Sequence, residues 1–89
     1  MKDPEPVHVP VEDAIDLHAF APGDVLSVVD SYLEAAREAG FAQVRLVHGR
    51  GRGVQRAAIH RRLASHPLVA AFHDAPESHL GATVVTLRR

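Results

Sequence analysis

Three glycines in five residues, Gly49, Gly51 and Gly53, separate a β-branched apolar run, Val44-Arg-Leu-Val-His48, from a segment of helical spacing. No other feature constrains the fold as much. A glycine-rich break that ends a strand and opens a helix is the joint of a β/α unit. After it, Val54 with Ala58 and Ile59 with Leu63 form i,i+4 apolar pairs, Arg56, Arg61 and Arg62 fall outside them, and Pro67 stops the helix near Ser65. Upstream, Ala14 to His18 sets Ile15 and Leu17 against Asp16 and His18, the alternation of a strand. Between Pro22 and Ala39, Val25, Leu26, Val29, Tyr32, Leu33 and Ala36 recur at helical spacing, with Gly40 just past the end. Leu68 to His73 reads as a third strand, Asp74 to Gly81 as a turn around Pro76, and Ala82 to Leu87 as a fourth strand. The order β-α-β-α-β-β predicts an α/β two-layer sandwich with right-handed crossovers, a largely parallel sheet and a last strand that returns antiparallel.

Eighty-nine residues hold one core. Residues 1–13, with Pro4, Pro6 and Pro10 among charges, are expected to form a flexible arm, and 14–89 a single domain. The absence of cysteine excludes a disulfide framework, a thiolate zinc site and a cysteine nucleophile. No apolar run approaches the roughly 20 residues of a membrane helix. The acidic start Met-Lys-Asp-Pro-Glu-Pro is unlike a signal peptide. A soluble cytoplasmic protein without membrane association is the expectation. Phe20, Tyr32, Phe41 and Phe72 are the only aromatics, too few for a domain that stacks several bases on an aromatic sheet.

The formal net charge of −1 conceals two halves of opposite sign. Residues 1–44 carry nine acids against Lys2 and Arg37, leaving −7; residues 45–89 carry eight arginines against Asp74 and Glu77, leaving +6. Every base in the second half is arginine, whose planar fork matches phosphate, so an anion-facing surface is one reading and simple solubility the other.

The polar residues converge if the strands are parallel neighbours. Asp16 and His18 would end strand one on one face, and His48 would end strand two, with Arg50 and Arg52 beside them at the sheet edge where open α/β folds place ligands. Glycines before a helix let backbone N–H groups gather around an anion, and phosphate is the natural guest. A tight turn also needs glycine, and Asp16 with His18 also fits a carboxylate orienting a structural histidine. The spacing G-x-G-x-G is neither a dinucleotide fingerprint nor a P-loop. His8, His60, His66, His73 and His79 lack metal-ligand spacing and read as surface or packing residues; Tyr32 and Leu33 read as core, and Arg61 and Arg62 as a solvated helix face.

Ile15-Asp-Leu-His18, His48-Gly-Arg-Gly-Arg-Gly53 and Gly81-Ala-Thr-Val-Val85 resemble the L-D-x-H, H-G-x-G-x-G and G-A-T-V-V motifs of Smr domains, the small MutS-related family, over about residues 12–88 in order and spacing. The sequence is most similar to short stand-alone members, with Asp-Leu-His-Ala-Phe20 and Gly53-Val-Gln-Arg56. It departs from the pattern at Ala19, where glycine is frequent, and at Glu77-Ser-His-Leu80, a shorter approach to G-A-T. The resemblance implies a mixed four-stranded sheet with two helices on one face, like the C-terminal domain of translation initiation factor three. It also implies binding to DNA or RNA and, for some members, nicking endonuclease or endoribonuclease activity. Carried onto this chain, the motif residues are Asp16, His18, His48, Gly49, Gly51 and Gly53.

The corresponding mechanism has the amides of Gly49 to Gly53, with Arg50, Arg52 and Arg56, holding the scissile phosphate. His18 or His48 serves as general base or acid, and Asp16 orients it or holds a divalent ion, Mg²⁺ or Mn²⁺. A binding module without catalysis and a protein-interaction domain are the rival readings.

Overall fold

A computed structural model describes residues 11–49, 53–78 and 81–88. The chain runs through β1 (Ala14–Asp16), α1 (Val25–Glu38), β2 (Gln43–Val47), α2 (Val54–Ala64), β3 (Val69–Asp74) and β4 (Ala82–Leu87), with single 3₁₀ turns at Leu17–Ala19, Pro22–Asp24 and Pro76–Ser78. The order of elements follows the sequence pattern. The sheet does not follow it fully: β4 inserts between β2 and β3, giving the order β1-β2-β4-β3. Only β1 and β2 pair in parallel, and β4 runs antiparallel to both its neighbours. The sheet is therefore mixed, not largely parallel, because the last strand returns into its middle.

Strand alternation decides which side chains meet the helices. In β2, Val44 and Leu46 face them, opposite Val85 and Thr83 of β4. Val25, Val29, Leu33 and Ala36 of α1 and Ile59 and Leu63 of α2 close over this face, and Leu17 enters the same core from its 3₁₀ turn. The large members, Leu17, Leu33, Leu46, Ile59 and Leu63, are each at most 1% exposed. Each contributes about 1.5–3 kcal/mol by leaving water. Pro22 opens the first helical turn, and α1 ends in paired bonds from Gly40 N to the Arg37 carbonyl and Phe41 N to the Ala36 carbonyl, both 3.0 Å. Val54, expected to pack on Ala58, is instead 71% exposed at the start of α2. Arg62, expected to be solvated, spans the helices to Asp30 through Nε (3.0 Å) and a terminal nitrogen (2.6 Å).

β3 carries an irregularity that alternation could not show. Val69 pairs with Leu87 but Ala71 pairs with Thr86, so one extra residue intervenes. The bulge reverses the parity of the strand. Phe72 and Asp74, opposite Val85 and Thr83, consequently face the helices, and His73, opposite Val84, faces away.

Residues 11–13, expected within the arm, belong to the fold. Val11 packs against the core, the Glu12 carbonyl accepts the Tyr32 hydroxyl at 2.5 Å, and the Asp13 carbonyl accepts Arg45 N at 2.8 Å. No helix among the described residues is long and apolar enough to cross a membrane.

Candidate functional site

The C-terminal ends of β1, β2 and β3 and the start of β4 share one edge of the sheet. Asp16 ends β1 there. Its Oδ1 accepts both the His18 backbone N–H (2.9 Å) and His18 Nδ1 (3.0 Å). The carboxylate thus caps the turn Leu17–Ala19 and stops the strand two residues earlier than alternation suggests. Turn geometry, and not a shared strand face, brings Asp16 and His18 together. The His18 backbone N–H, and then its ring, hold the Asp16 carboxyl below its ordinary value. Both side chains are exposed, at 65% and 61%.

With Nδ1 donating to Asp16, neutral His18 carries its free lone pair on Nε2. That side of the ring lies over Gly49. A Cβ built on Gly49 would meet Nε2 in overlap and lie 2.7 Å from Cε1 and 3.3 Å from Cδ2. Gly49 also has φ +79°, a left-handed conformation that side chains disfavour. Glycine is therefore required at this position twice over, by backbone and by space.

His48 goes elsewhere. It continues the inward alternation of Val44 and Leu46, whereas Asp16, opposite Val47, lies on the other face of the sheet. His48 is only 3% exposed. Its Nδ1 donates to the Gly49 carbonyl (2.9 Å), so its Nε2 accepts the Thr83 hydroxyl (2.9 Å). Thr83 Oγ1 in turn accepts His60 Nε2 (2.8 Å), which stands 3.7 Å from Asp74 Oδ1. Arg56 closes the row with a bidentate grip on Asp74, Nε to Oδ1 at 2.8 Å and a terminal nitrogen to Oδ2 at 2.6 Å. Burial, and then the Arg56 charge, lower the His60 pKa, while the bonds from Arg56 lower that of Asp74. Both ring nitrogens of His48 are occupied, and Arg56 is committed to a carboxylate. The expected single cluster is two: an exposed pair and a buried row, joined at Gly49.

The glycine loop is fixed at its first residue. The carbonyl of Gly81, just before β4, accepts both His48 N (3.0 Å) and Gly49 N (2.9 Å), so the Gly49 amide expected to cradle phosphate is already bonded. Arg50, Gly51 and Arg52 lie outside the described residues. Gly53, φ +77°, occupies the cap position of α2 and has no side chain with which to cap it.

A divalent ion of the Mg²⁺ class takes several oxygen ligands. Among the described residues no group of three or more His, Asp or Glu side chains is placed to supply them, and Asp16 offers one carboxylate with an oxygen already engaged. The described residues do not fit a two-metal site.

Sequence reading missed Thr83, His60 and Asp74. Thr83 had a signal, since a hydroxyl at an inward position of an apolar strand needs a buried partner. Asp74 had none, because the bulge sets its face.

A family model described as "Smr domain" matches residues 15–88. Endonuclease MutS2 of Caldicellulosiruptor saccharolyticus is 41% identical over 80 residues, covering 88% of this chain and 10% of that protein. The chain thus spans about a tenth of the length of the curated relatives it matches. Among solved structures, the Smr domain of Thermus thermophilus MutS2 superposes with a TM-score of 0.82 at 39% identity, covering 88% of this chain and 100% of that one. YdaL, a stand-alone small MutS-related protein from Escherichia coli, gives 0.79 at 26% identity, covering 90% and 67%.

Proposed function

This chain belongs to the Smr domain family, and we propose that it binds DNA or RNA in the cytoplasm at the edge where β1 and β2 end and cuts a phosphodiester bond there. The observation that carries this reading is the Asp16–His18 pair, exposed, hydrogen bonded and presenting Nε2 toward the glycine loop. Asp16 fixes the tautomer and steadies the imidazolium once Nε2 has taken a proton. With RNA the proton comes from the 2′-hydroxyl, whose oxygen then attacks the phosphorus while the P–O5′ bond breaks, leaving a 2′,3′-cyclic phosphate and a 5′-hydroxyl that takes its proton from solvent. With DNA the proton comes from water, whose oxygen attacks the phosphorus while one P–O ester bond breaks and the departing oxygen is protonated by solvent. The first-turn amides of α2, Arg50 and Arg52 hold the phosphate and offset its growing negative charge. His48 is a positioning residue in this scheme: through Nδ1 it holds the Gly49 carbonyl, and so the backbone against which His18 rests.

A second reading, binding without cleavage, draws on the burial of His48, which leaves His18 as the exposed imidazole of this edge among the described residues, with no second described group placed to protonate the leaving oxygen. One experiment separates the two. Purified protein is incubated with supercoiled plasmid and with structured RNA, in Mg²⁺, Mn²⁺ or chelator. Cleavage is expected to fall by about 10²- to 10⁴-fold in His18→Ala and Asp16→Ala, with affinity retained. Binding without cleavage of either substrate by the unaltered chain would sink the nuclease reading, and cleavage that survives both substitutions would place the chemistry elsewhere.

A further inference from the structure

Among the described residues three large apolar side chains are exposed, Phe20 and Leu26 at 39% each and Val54 at 71%. Apolar residues exposed singly are ordinary on a protein surface. These three share one end of the molecule. Because β1 and β2 are parallel, the segments that follow them leave from the same end of the sheet: Phe20 lies in the connection from β1 to α1, Leu26 in the first turn of α1, and Val54 opens α2. That end also carries the Asp16–His18 pair.

Phe20 differs from the other phenylalanines and the tyrosine. Tyr32, Phe41 and Phe72 pack against the core, whereas Phe20 keeps over a third of its surface in water. Its backbone is nevertheless held, since its N–H donates to the Leu17 carbonyl (3.2 Å) and closes the turn that carries His18. Two residues on, its Cα is no more than about 7 Å from that of His18.

Resting on the nucleic-acid reading above, we propose that the substrate strand is unpaired where it is cut, and that Phe20 is a specificity-determining residue that stacks on the base of a nucleotide flanking the phosphate at His18.

The occupant of this edge meets two kinds of surface. The first turn of α2 offers unbonded amides and the positive end of a helix dipole, which favour an anion. Phe20, Leu26 and Val54 offer apolar surface that is best covered by an apolar body. A nucleotide brings both, a phosphate and the flat face of a base. In a duplex both faces of each base are covered by its neighbours, so a ring reaches one only where the strand is unpaired or the base has left the stack. Every base has such a face, so a stacking ring selects for an unpaired strand and tolerates any sequence. One ring suffices for one base, in keeping with a chain that has few aromatics.

The test uses the full chain with single-stranded RNA, single-stranded DNA, duplex DNA of the same sequence, and an abasic single strand of equal length. The sequence contains no tryptophan, so Phe20→Trp supplies a single indole whose emission reports contact with a base. Both single strands are expected to quench it, and the abasic strand is not. Phe20→Ala should weaken binding of single strands by about 5- to 150-fold, the worth of one stacked base. Its slope of log K against log salt should not change, because no phosphate contact is lost, and duplex affinity should hardly move. Phe20→Tyr should bind as the unaltered chain does, and Phe20→Leu, apolar but without a ring face, should not. Melting curves show that each variant is folded at the temperature of measurement. Unquenched emission from Phe20→Trp, or equal losses for single strands and duplex in Phe20→Ala, would overturn the proposal. If Phe20→Ala binds every probe as tightly as the unaltered chain, stacking is refuted while nucleic-acid binding stands. If the unaltered chain binds none of the probes, both readings fail.

Discussion

His18 and His48 sit at the same edge of one sheet and were expected to do the same work, yet their surroundings differ in every physical respect. His18 is exposed, held by a single carboxylate, and among the described residues its second ring nitrogen has no hydrogen-bond partner. His48 is buried, with a carbonyl on one nitrogen and a hydroxyl on the other. The difference arises from backbone parity: the 3₁₀ turn after Asp16 lifts His18 out of the sheet, while β2 carries His48 inward with Leu46. A histidine is a useful acid or base only where one nitrogen is free to exchange a proton, so chemistry and scaffolding divide between the two rings. Gly49 is where they touch, its carbonyl on His48 and its α-carbon under His18.

The strongest way to break this division is at the junction. Gly49→Ala forces a side chain into a left-handed conformation, costing about 1–2 kcal/mol, and drives its Cβ into the His18 ring. Cleavage should fall nearly as far as in His18→Ala, with a lower denaturation midpoint in addition. His18→Ala itself should change the unfolding free energy by no more than about 0.5 kcal/mol, as exposed substitutions do. A Gly49→Ala protein with unaltered stability and cleavage would show that the two regions do not meet there.

Thr83→Val tests the buried row alone. The isosteric methyl leaves the Nε2 atoms of His48 and His60 without their shared partner, which should cost roughly 1–3 kcal/mol in urea or thermal unfolding. Thr83→Ser should recover most of it. Cleavage per folded molecule should change far less than stability, the reverse of His18→Ala. Equal losses of both from Thr83→Val would mean that the row takes part in the chemistry.

How much of this was legible beforehand depended on whether local periodicity carried the information. Ala82–Leu87 is the strand its β-branched run suggests, and both helices start and stop near Pro22, Gly40, Gly53 and Pro67. These are contiguous signals. The insertion of β4 between β2 and β3 is a non-local pairing that no periodicity encodes, and alternation alone would have turned Asp74 away from Arg56. The burial of His48 was readable from Val44 and Leu46, but its place beside the glycines suggested an exposed role. Asp16 and His18 were correctly placed together for the wrong reason, since a capped turn and not a strand face joins them.

The smallest expected effect is a pH dependence belonging to the buried row. Burial holds the folded pKa of His60 below its ordinary 6.5, so the unfolded chain binds this proton more readily. Its contribution is therefore complete above about pH 6.5 and declines as pH falls through the lower, folded value. Asp16, Asp30 and Asp74 are also depressed, but from 3.8, so what they contribute persists to that region and is lost only below it. As pH falls below 6.5 the stability of the chain should drift downward by less than the Thr83→Val effect. His60→Gln, which keeps a donor toward Thr83 but cannot titrate, should lessen the drift; if it is unchanged, the acid-sensitive group lies outside the row. His18→Ala should leave much of the carboxylate window in place, because the largest single cause of the Asp16 depression is the backbone N–H of residue 18, which the substitution retains. Loss of that low-pH stability in His18→Ala would show that the ring, not the turn, holds the carboxylate in place.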